Sequence, residues 1–396
     1  MDDSFDFDSF FDDKILFEQT IYKNGKVYYV KKVKDWCGLI SFSAINNTDM
    51  FSTGQLTNEE YNMLRREINK DRSKLFKSDK LNQIALINKD LAYNDIIVKI
   101  LDKIETAIPK QYRDTFYKNL ETVHIHRVND FFNEKTYCEK ETDEEKHILY
   151  TGGTYNVISN EIEINYNPII KRRFETESTE EYLKAITTHE IFHMASSSYD
   201  KNNKVRKSGL IEFIKNNSNN EETALNNYLN EVLSQYLANK IVIEKNGHSS
   251  YDVYMPILRQ LISLVGYNTI IKSYFLNKET LLIQDKLFEI IHDTYKASNA
   301  LLNIGLADPR KLTRKEYNKT DIFQQELLDY FNKKIEIYIE NKRIIDAEKL
   351  LNSLKNNYWA ITINGKRLIA DHTNDTDNKF RYILDKYTNK LQRKRK

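Results

Sequence analysis

Cysteine, proline and glycine are scarce in this sequence of 396 residues, at two, four and ten copies. Two cysteines, Cys37 and Cys138, cannot build a disulfide framework, so a reduced, cytoplasmic setting is expected. Few prolines and glycines means few helix breakers, which favours long helices. No apolar run is long enough to cross a bilayer. No basic segment followed by an apolar core opens the chain, so a secretory leader is not expected, although export by another route stays open. An excess of one charge is also missing. Lys and Arg number 60 against 58 Asp and Glu, a net charge of +2. Proteins that neutralise nucleic-acid phosphates carry a clear basic excess, so no nucleic-acid partner is expected. Internal repeats and glycine-rich phosphate loops are absent from the sequence. Collagen-like, disulfide-rich, membrane-spanning and wholly disordered classes are excluded. The 26 Tyr and 19 Phe supply bulk for real cores.

Six Asp and four Phe crowd the first thirteen residues. They read either as a frayed acidic tail or as a docking motif for a partner. Ile15–Tyr22 and Lys26–Val33 are β-rich runs around Asn24-Gly25, a pair suited to a type I′ hairpin turn. From Glu59 to Glu105 the apolar spacing is helical, and Pro109 ends it. Glu121–Val128 alternates like a strand, with His124 and His126 on one side. That pair could bind metal, or could simply pack or face solvent. Asn133–Lys146 is charged and reads as a loop. Gly152-Gly153 introduces a second β stretch, Thr154–Asn165, turning at Ser159-Asn160, with Ile162 and Ile164 on one face and Glu161 and Glu163 on the other. Helix is expected from there to about Asn246, and again from Tyr251 to Lys296. Pro309 interrupts. Asp321–Tyr358 reads as two amphipathic helices, and Asn364-Gly365 as a late hairpin. The chain closes on a basic tail, read as solvated.

His189-Glu190-Ile191-Phe192-His193 is an H-E-x-x-H match. Residues four apart sit one helical turn apart on nearly the same face, so two imidazoles can converge on one metal ion. The glutamate beside the first histidine then lies next to the open coordination position, where it can take a proton from water. Ser178 and Glu181 form a capping-box pattern that starts the helix. Tyr182, Leu183, Ile186, His189, Glu190 and His193 fall on adjoining faces. Two imidazoles and a carboxylate on a largely buried face are costly unless paired or metal-bound.

A catalytic zinc normally keeps three protein ligands. The pattern that adds a third histidine after a glycine is excluded, because Ser196 and Tyr199 occupy those places. The other common solution is a glutamate on a second helix. Glu231, in Asn230-Glu231-Val232-Leu233-Ser234-Gln235, supplies it thirty-eight residues after His193. Leu225, Leu229, Val232, Leu233, Tyr236, Leu237 and Ile241 make that helix amphipathic. No C-x-x-C spacing and no Ser-His-Asp order offers a rival chemistry.

H-E-x-x-H followed by N-E-x-x-S on a later helix resembles the gluzincin zinc metallopeptidases, the thermolysin-type group. The resemblance covers roughly Tyr150 to Leu276. It is strongest toward largely uncharacterised bacterial gluzincin-like proteins with phrases like HEIFHMASSSYD, SGL (Ser208–Leu210), LNEVLSQYLA (Leu229–Ala238) and GYNTIIKSYF (Gly266–Phe275). It implies His189, His193 and Glu231 as zinc ligands, one zinc per chain, and Glu190 as the general base. It also implies that the Thr154–Asn165 strands hold an extended peptide by β-augmentation. One departure is plain. The thermolysin-type pattern places an Asp four residues after the ligand Glu to orient a ligating His; here Gln235 stands there, able to accept an imidazole N–H but without charge.

The expected fold is α+β: a mainly helical zincin-like metallopeptidase domain with a small antiparallel sheet at 81–280, a tail and small β element at 1–80, and a helical region with basic tail at 281–396. The expected function is zinc-dependent hydrolysis of peptide bonds in a peptide or protein substrate. Oxyanion stabilisation needs one more donor. Tyr251, Tyr254, His248 and Tyr228 are candidates by chain position, and Tyr251 is the one chosen. The alternative is a non-catalytic, zinc-stabilised scaffold for a partner. Retention of Glu190 favours the enzyme, because a scaffold needs no base.

Overall fold

The computed structural model describes residues 14–35, 37–49, 52–54, 56–128, 152–165, 179–199, 205–215, 222–224, 227–242, 255–276, 281–293, 314–358, 362–363, 366–367 and 374–395. Helices predominate, with small sheets among them, an α+β architecture. Backbone contacts divide the chain into two compact units, one of residues 1–195 with 241–247 and the other of 196–240 with 248–396.

The first unit opens with a four-stranded antiparallel sheet in the order β1 (Lys14–Lys23), β2 (Lys26–Lys34), β3 (Ile40–Asp49), β4 (Ser52–Gly54). Asn24 and Gly25 turn the first hairpin at φ 52° and 72°, the positive pair a type I′ turn needs. The β element is larger than expected: β3 does alternate, with Ile40, Phe42 and Ala44 on one face, but its second half and β4 are rich in Ser, Thr and Asn and carry no apolar alternation. Ile21, Tyr28 and Val30 pack on Leu64 of α1 (Asn58–Ile68). Thr57 and Glu60 start α1 with a full capping box. Glu60 also accepts from Lys26 Nζ at 2.7 Å and from the Tyr28 hydroxyl at 3.1 Å, which fastens the helix to β2.

Four helices follow: α2 (Asp79–Ile87), α3 (Lys89–Ala92), α4 (Asp95–Ala107) and α5 (Arg113–Thr122). Asn94 caps α4 by accepting from the Ile96 and Ile97 amides at 3.1 and 3.2 Å. The strand expected at Glu121–Val128 is shorter. α5 takes Glu121 and Thr122, the Val123 amide closes on Asn119, and β5 begins at His124 (His124–Val128).

β5, β6 (Gly153–Asn156) and β7 (Glu161–Asn165) make a sheet in the order β5-β7-β6. β6 and β7 are an antiparallel hairpin, but β5 runs parallel to β7. The expected all-antiparallel small sheet is thus mixed here. Ile125, Ile162 and Ile164 are buried on one face. The turn spans 157–160, with Asn160 at φ 54°. α6 (Thr179–Ala195) packs on β6, β7, α4 and α5. Ser178, the expected cap of α6, lies outside the described residues.

The second unit begins with a second antiparallel sheet, β11 (Glu222–Ala224), β10 (Ile211–Lys215), β9 (Val205–Ser208), β8 (Ser197–Tyr199). It stands where continuous helix was expected. Ser196–Ser198 compete for backbone hydrogen bonds and are weak helix formers, and Gly209 turns the chain at φ 61°. Helix resumes at α7 (Asn227–Ile241). The expected helix from Tyr251 to Lys296 is three helices: α8 (Met255–Val265), α9 (Tyr267–Phe275) and α10 (Leu281–Ile291), with Gly266 at φ 91° separating the first two. α8 and α10 join α11 (Arg314–Glu340), α12 (Ile344–Asn357) and α13 (Asn374–Arg395) in a bundle. Gln260 and Gln324, both fully buried, exchange reciprocal amide hydrogen bonds at 3.0 Å across it. The late hairpin pairs β12 (Thr362–Ile363) with β13 (Lys366–Arg367); its Asn364-Gly365 turn lies outside the described residues. Among the described residues no helix is long and apolar enough to cross a membrane.

Candidate metal centre

α6 is buried almost all round from Tyr182 to Ala195, so the single apolar face expected for it is only part of its contact surface. Its N-terminal turn stays wet and ionic. Lys184 donates to Glu180 at 2.5 Å and Lys99 reaches it at 2.8 Å, and the two hold the carboxyl at about 2. Downstream, His189, Glu190 and His193 are each 6% exposed, among fully buried Ile191, Phe192 and Met194. The two imidazoles stand 4.7 Å apart between ring centroids, with their Nε2 atoms facing at 2.9 Å.

His189, His193 and Glu231 each offer a ligand atom, and these atoms all lie within 4.8 Å of one another, a group that could hold a metal ion. Two ligands about 2.0–2.1 Å from a tetrahedral metal sit about 3.3 Å apart. The observed nitrogen separation is within a few tenths of that value. Nitrogen donors with one carboxylate form a borderline set that suits a first-row divalent ion better than a hard all-oxygen site would.

Hydrogen bonds hold the turn of α6 that carries the candidate ligand His193. Asn119 of α5 donates its Nδ2 to Met194 O at 2.7 Å, one residue past His193. Asn160 Nδ2 donates to Asn119 O at 3.0 Å, and the Tyr155 hydroxyl of β6 donates to Asn160 Oδ1 at 3.0 Å. One relay thus ties β6, the β6–β7 turn and α5 to the end of the H-E-x-x-H helix. Sequence reading took Asn160 only as a turn residue and missed Asn119, because a lone Asn in a helix or turn carries no spacing signal for such a role.

Gly152 and Gly153 were read only as the start of a β stretch. The structure shows why they are glycines. A Cβ on Gly153 would sit 2.6 Å from Ile186 Cγ2, 3.0 Å from Glu190 Cγ and 3.1 Å from Glu190 Oε1. One on Gly152 would sit 2.5 Å from Ile186 Cδ1. The glycines let β6 run directly against the helix face that carries Glu190. β6 is an edge of its sheet, with β7 its one partner among the described strands.

The N-E-x-x-S phrase divides into one candidate ligand and two supports. Asn230, fully buried, accepts from the Leu210 amide at 2.9 Å, and a Cβ on Gly209 would collide with its Oδ1. Ser234 shares a 2.7 Å hydrogen bond with the Tyr274 hydroxyl. Lys207, almost fully buried, donates to the carbonyls of Ser273 and Leu276 and closes the end of α9. The phrases Ser208–Leu210, Asn230–Ser234 and Ser273–Tyr274 are therefore one hydrogen-bonded frame that fixes the turn presenting Glu231. Gln235 donates its Nε2 to Asn239 at 2.6 Å.

Tyr251, Tyr254 and His248, candidates for the oxyanion donor, lie outside the described residues, as does the side chain of Tyr228. So does Cys138, while Cys37 is a free, exposed thiol. His124 and His126 do share a face of β5, with rings 6.1 Å apart, but each approaches its own carboxylate, Asp90 at 3.7 Å and Glu161 at 3.8 Å. Among the described residues they do not join a group of three metal-ligating side chains.

Comparison with family models, with curated proteins and with solved structures finds no match for this chain.

Proposed function

We propose that this protein is a zinc metallopeptidase of gluzincin type. The observation that carries the reading is the gathering of His189, His193 and Glu231 with Glu190 one residue from the first ligand. The two histidines and Glu231 would hold the zinc. Bound there, zinc supplies Lewis acidity, which acidifies water and polarises a carbonyl.

Glu190 is the proton carrier. Its carboxylate takes a proton from the water whose oxygen attacks the peptide carbonyl carbon. It returns that proton to the amide nitrogen as the C–N bond breaks, leaving a new carboxylate and a free amine. β6 holds the substrate as an added antiparallel strand along its outer edge, which brings an extended peptide past Glu190. The near-complete burial of Glu190 limits solvent at the point of proton transfer and strengthens its local electrostatics. An adventitious surface pair of histidines needs no adjacent buried carboxylate, and a scaffold needs none either.

Metal analysis of the purified full chain, paired with cleavage of denatured protein, tests this. One zinc per chain and cleavage abolished by chelation are expected. His193→Ala should lose both. Full zinc retention in that variant would mean the ligand set is wrong, and zinc binding without cleavage of any protein or peptide offered would favour the scaffold.

A further inference from the structure

A groove far from the H-E-x-x-H segment in sequence lies in the first unit, where α1 crosses β3. Its volume is about 780 Å³, and its walls include Lys32, Arg65 and Arg66 around Ile40, Phe42 and Ile68. Three cations face it, and among the described residues no carboxylate lines it. The nearby acids are engaged elsewhere: Glu60 with Lys26 and Tyr28, Glu67 with Arg72 and Lys23. Lys32, Arg65 and Arg66 form no ion pair among the described residues. Arg65 instead lies over aromatic rings, 5.9 Å from the Phe42 centroid and 5.4 Å from that of Tyr61. The groove therefore offers both an apolar floor and an uncompensated positive rim. Its complement is a segment that alternates acids with aromatic rings.

The chain contains such a segment. Residues 1–13, MDDSFDFDSFFDD, hold six Asp and four Phe and no basic side chain. The segment leads straight into β1 at the near end of the same sheet. Lys14 pairs with Lys34, and Lys34 pairs with Ile40, which lines the groove. At about 4.8 Å per strand spacing, Lys14 stands roughly 10 Å from Ile40. Thirteen extended residues reach about 40 Å, several times that distance. Tethering at this range gives an effective concentration on the order of millimolar, enough to fill a groove of modest intrinsic affinity. A nucleic acid would use the cations but not the aromatic and aliphatic floor.

We propose that the groove between α1 and β3 is the docking site of the chain's own acidic, phenylalanine-rich segment 1–13. The inference does not depend on the peptidase reading. Carbodiimide coupling on the full chain tests it, because this reagent joins a carboxylate to a lysine amine only when the two are in contact. The expected product is a monomer with an aspartate of residues 1–13 bonded to Lys32. Arg65→Glu/Arg66→Glu, on the exposed side of α1, should lower the yield at least about fivefold, as should raising salt to about 1 M, where the screening length falls to about 3 Å. Phe5→Ser/Phe7→Ser/Phe10→Ser/Phe11→Ser, which leaves every described element untouched, should lower it as well and keeps the test valid if the arginine variant misfolds. No coupling to Lys32 would overturn the proposal. So would coupling found only in a dimer, which would make a second copy the occupant, or a yield indifferent to the phenylalanines.

Discussion

At Gly153 only a hydrogen fits between β6 and the helix that carries Glu190. Gly153→Ala must push Ile186 or Glu190 aside, and overpacking of this kind is relieved by small shifts of the less constrained neighbour. Displacements near 1 Å at a reacting group can cost about a hundredfold in rate. Peptide cleavage by Gly153→Ala should fall by about tenfold or more with zinc content unchanged; unaltered turnover would show that Glu190 is not positioned by this contact. Asn119 makes a different kind of contribution. Its amide bridges α5 to Met194 O inside the core, so Asn119→Ala leaves a buried carbonyl without that donor. A loss of about 1–3 kcal/mol in urea unfolding is expected. The candidate ligands and the proposed base were legible as residues because metal chemistry fixes their types and spacing. Asn119, Asn160 and the two glycines were not, because their roles come from neighbours distant in sequence.

Among the elements, the attachment of α1 to β2 carries a clear pH signature. The Lys26 ammonium, then the Thr57 amide, hold the Glu60 carboxyl down to about 2 from an ordinary 4.5. A depressed carboxyl stabilises the fold above its unfolded value, and that contribution is lost as pH falls through the folded value. Glu60→Gln should therefore cost about 1 kcal/mol at pH 7, in the range of a lost cap and hydrogen bond. The difference from wild type should close between pH 4.5 and about 2, read by urea unfolding at several pH values. A gap that stays constant through that window would mean the charge of Glu60 is irrelevant. The β1–β2 hairpin and the β6–β7 hairpin were legible from Asn-Gly and from alternation. β4 and β8–β11 were not, because they are short or polar and their partners are set by turns such as Gly209 rather than by a period-2 pattern. β3 carried the alternation Ile40-Phe42-Ala44, but its polar second half weakened that signal.

For the whole molecule, helical predominance followed from the scarcity of proline and glycine and from long apolar periodicities. The β-sheet content was underestimated, and the parallel pairing of β5 with β7 depends on a connection whose path no local pattern encodes. The donor set of His189, His193 and Glu231 was legible from motif spacing across thirty-eight residues, and the structure brings the three together. Zinc as the ion is proposed from that donor set, and peptide hydrolysis as the reaction is proposed from Glu190 beside it. Glu190→Gln keeps size and most hydrogen bonding while removing the base. The most direct measurement is its turnover on a denatured protein substrate at full zinc occupancy, beside wild type. Turnover should fall by about a hundredfold or more, the lower range for losing a general base, with zinc content and melting temperature held near wild type. A Glu190→Gln protein that keeps its zinc and cleaves at the wild-type rate would contradict the proposed mechanism.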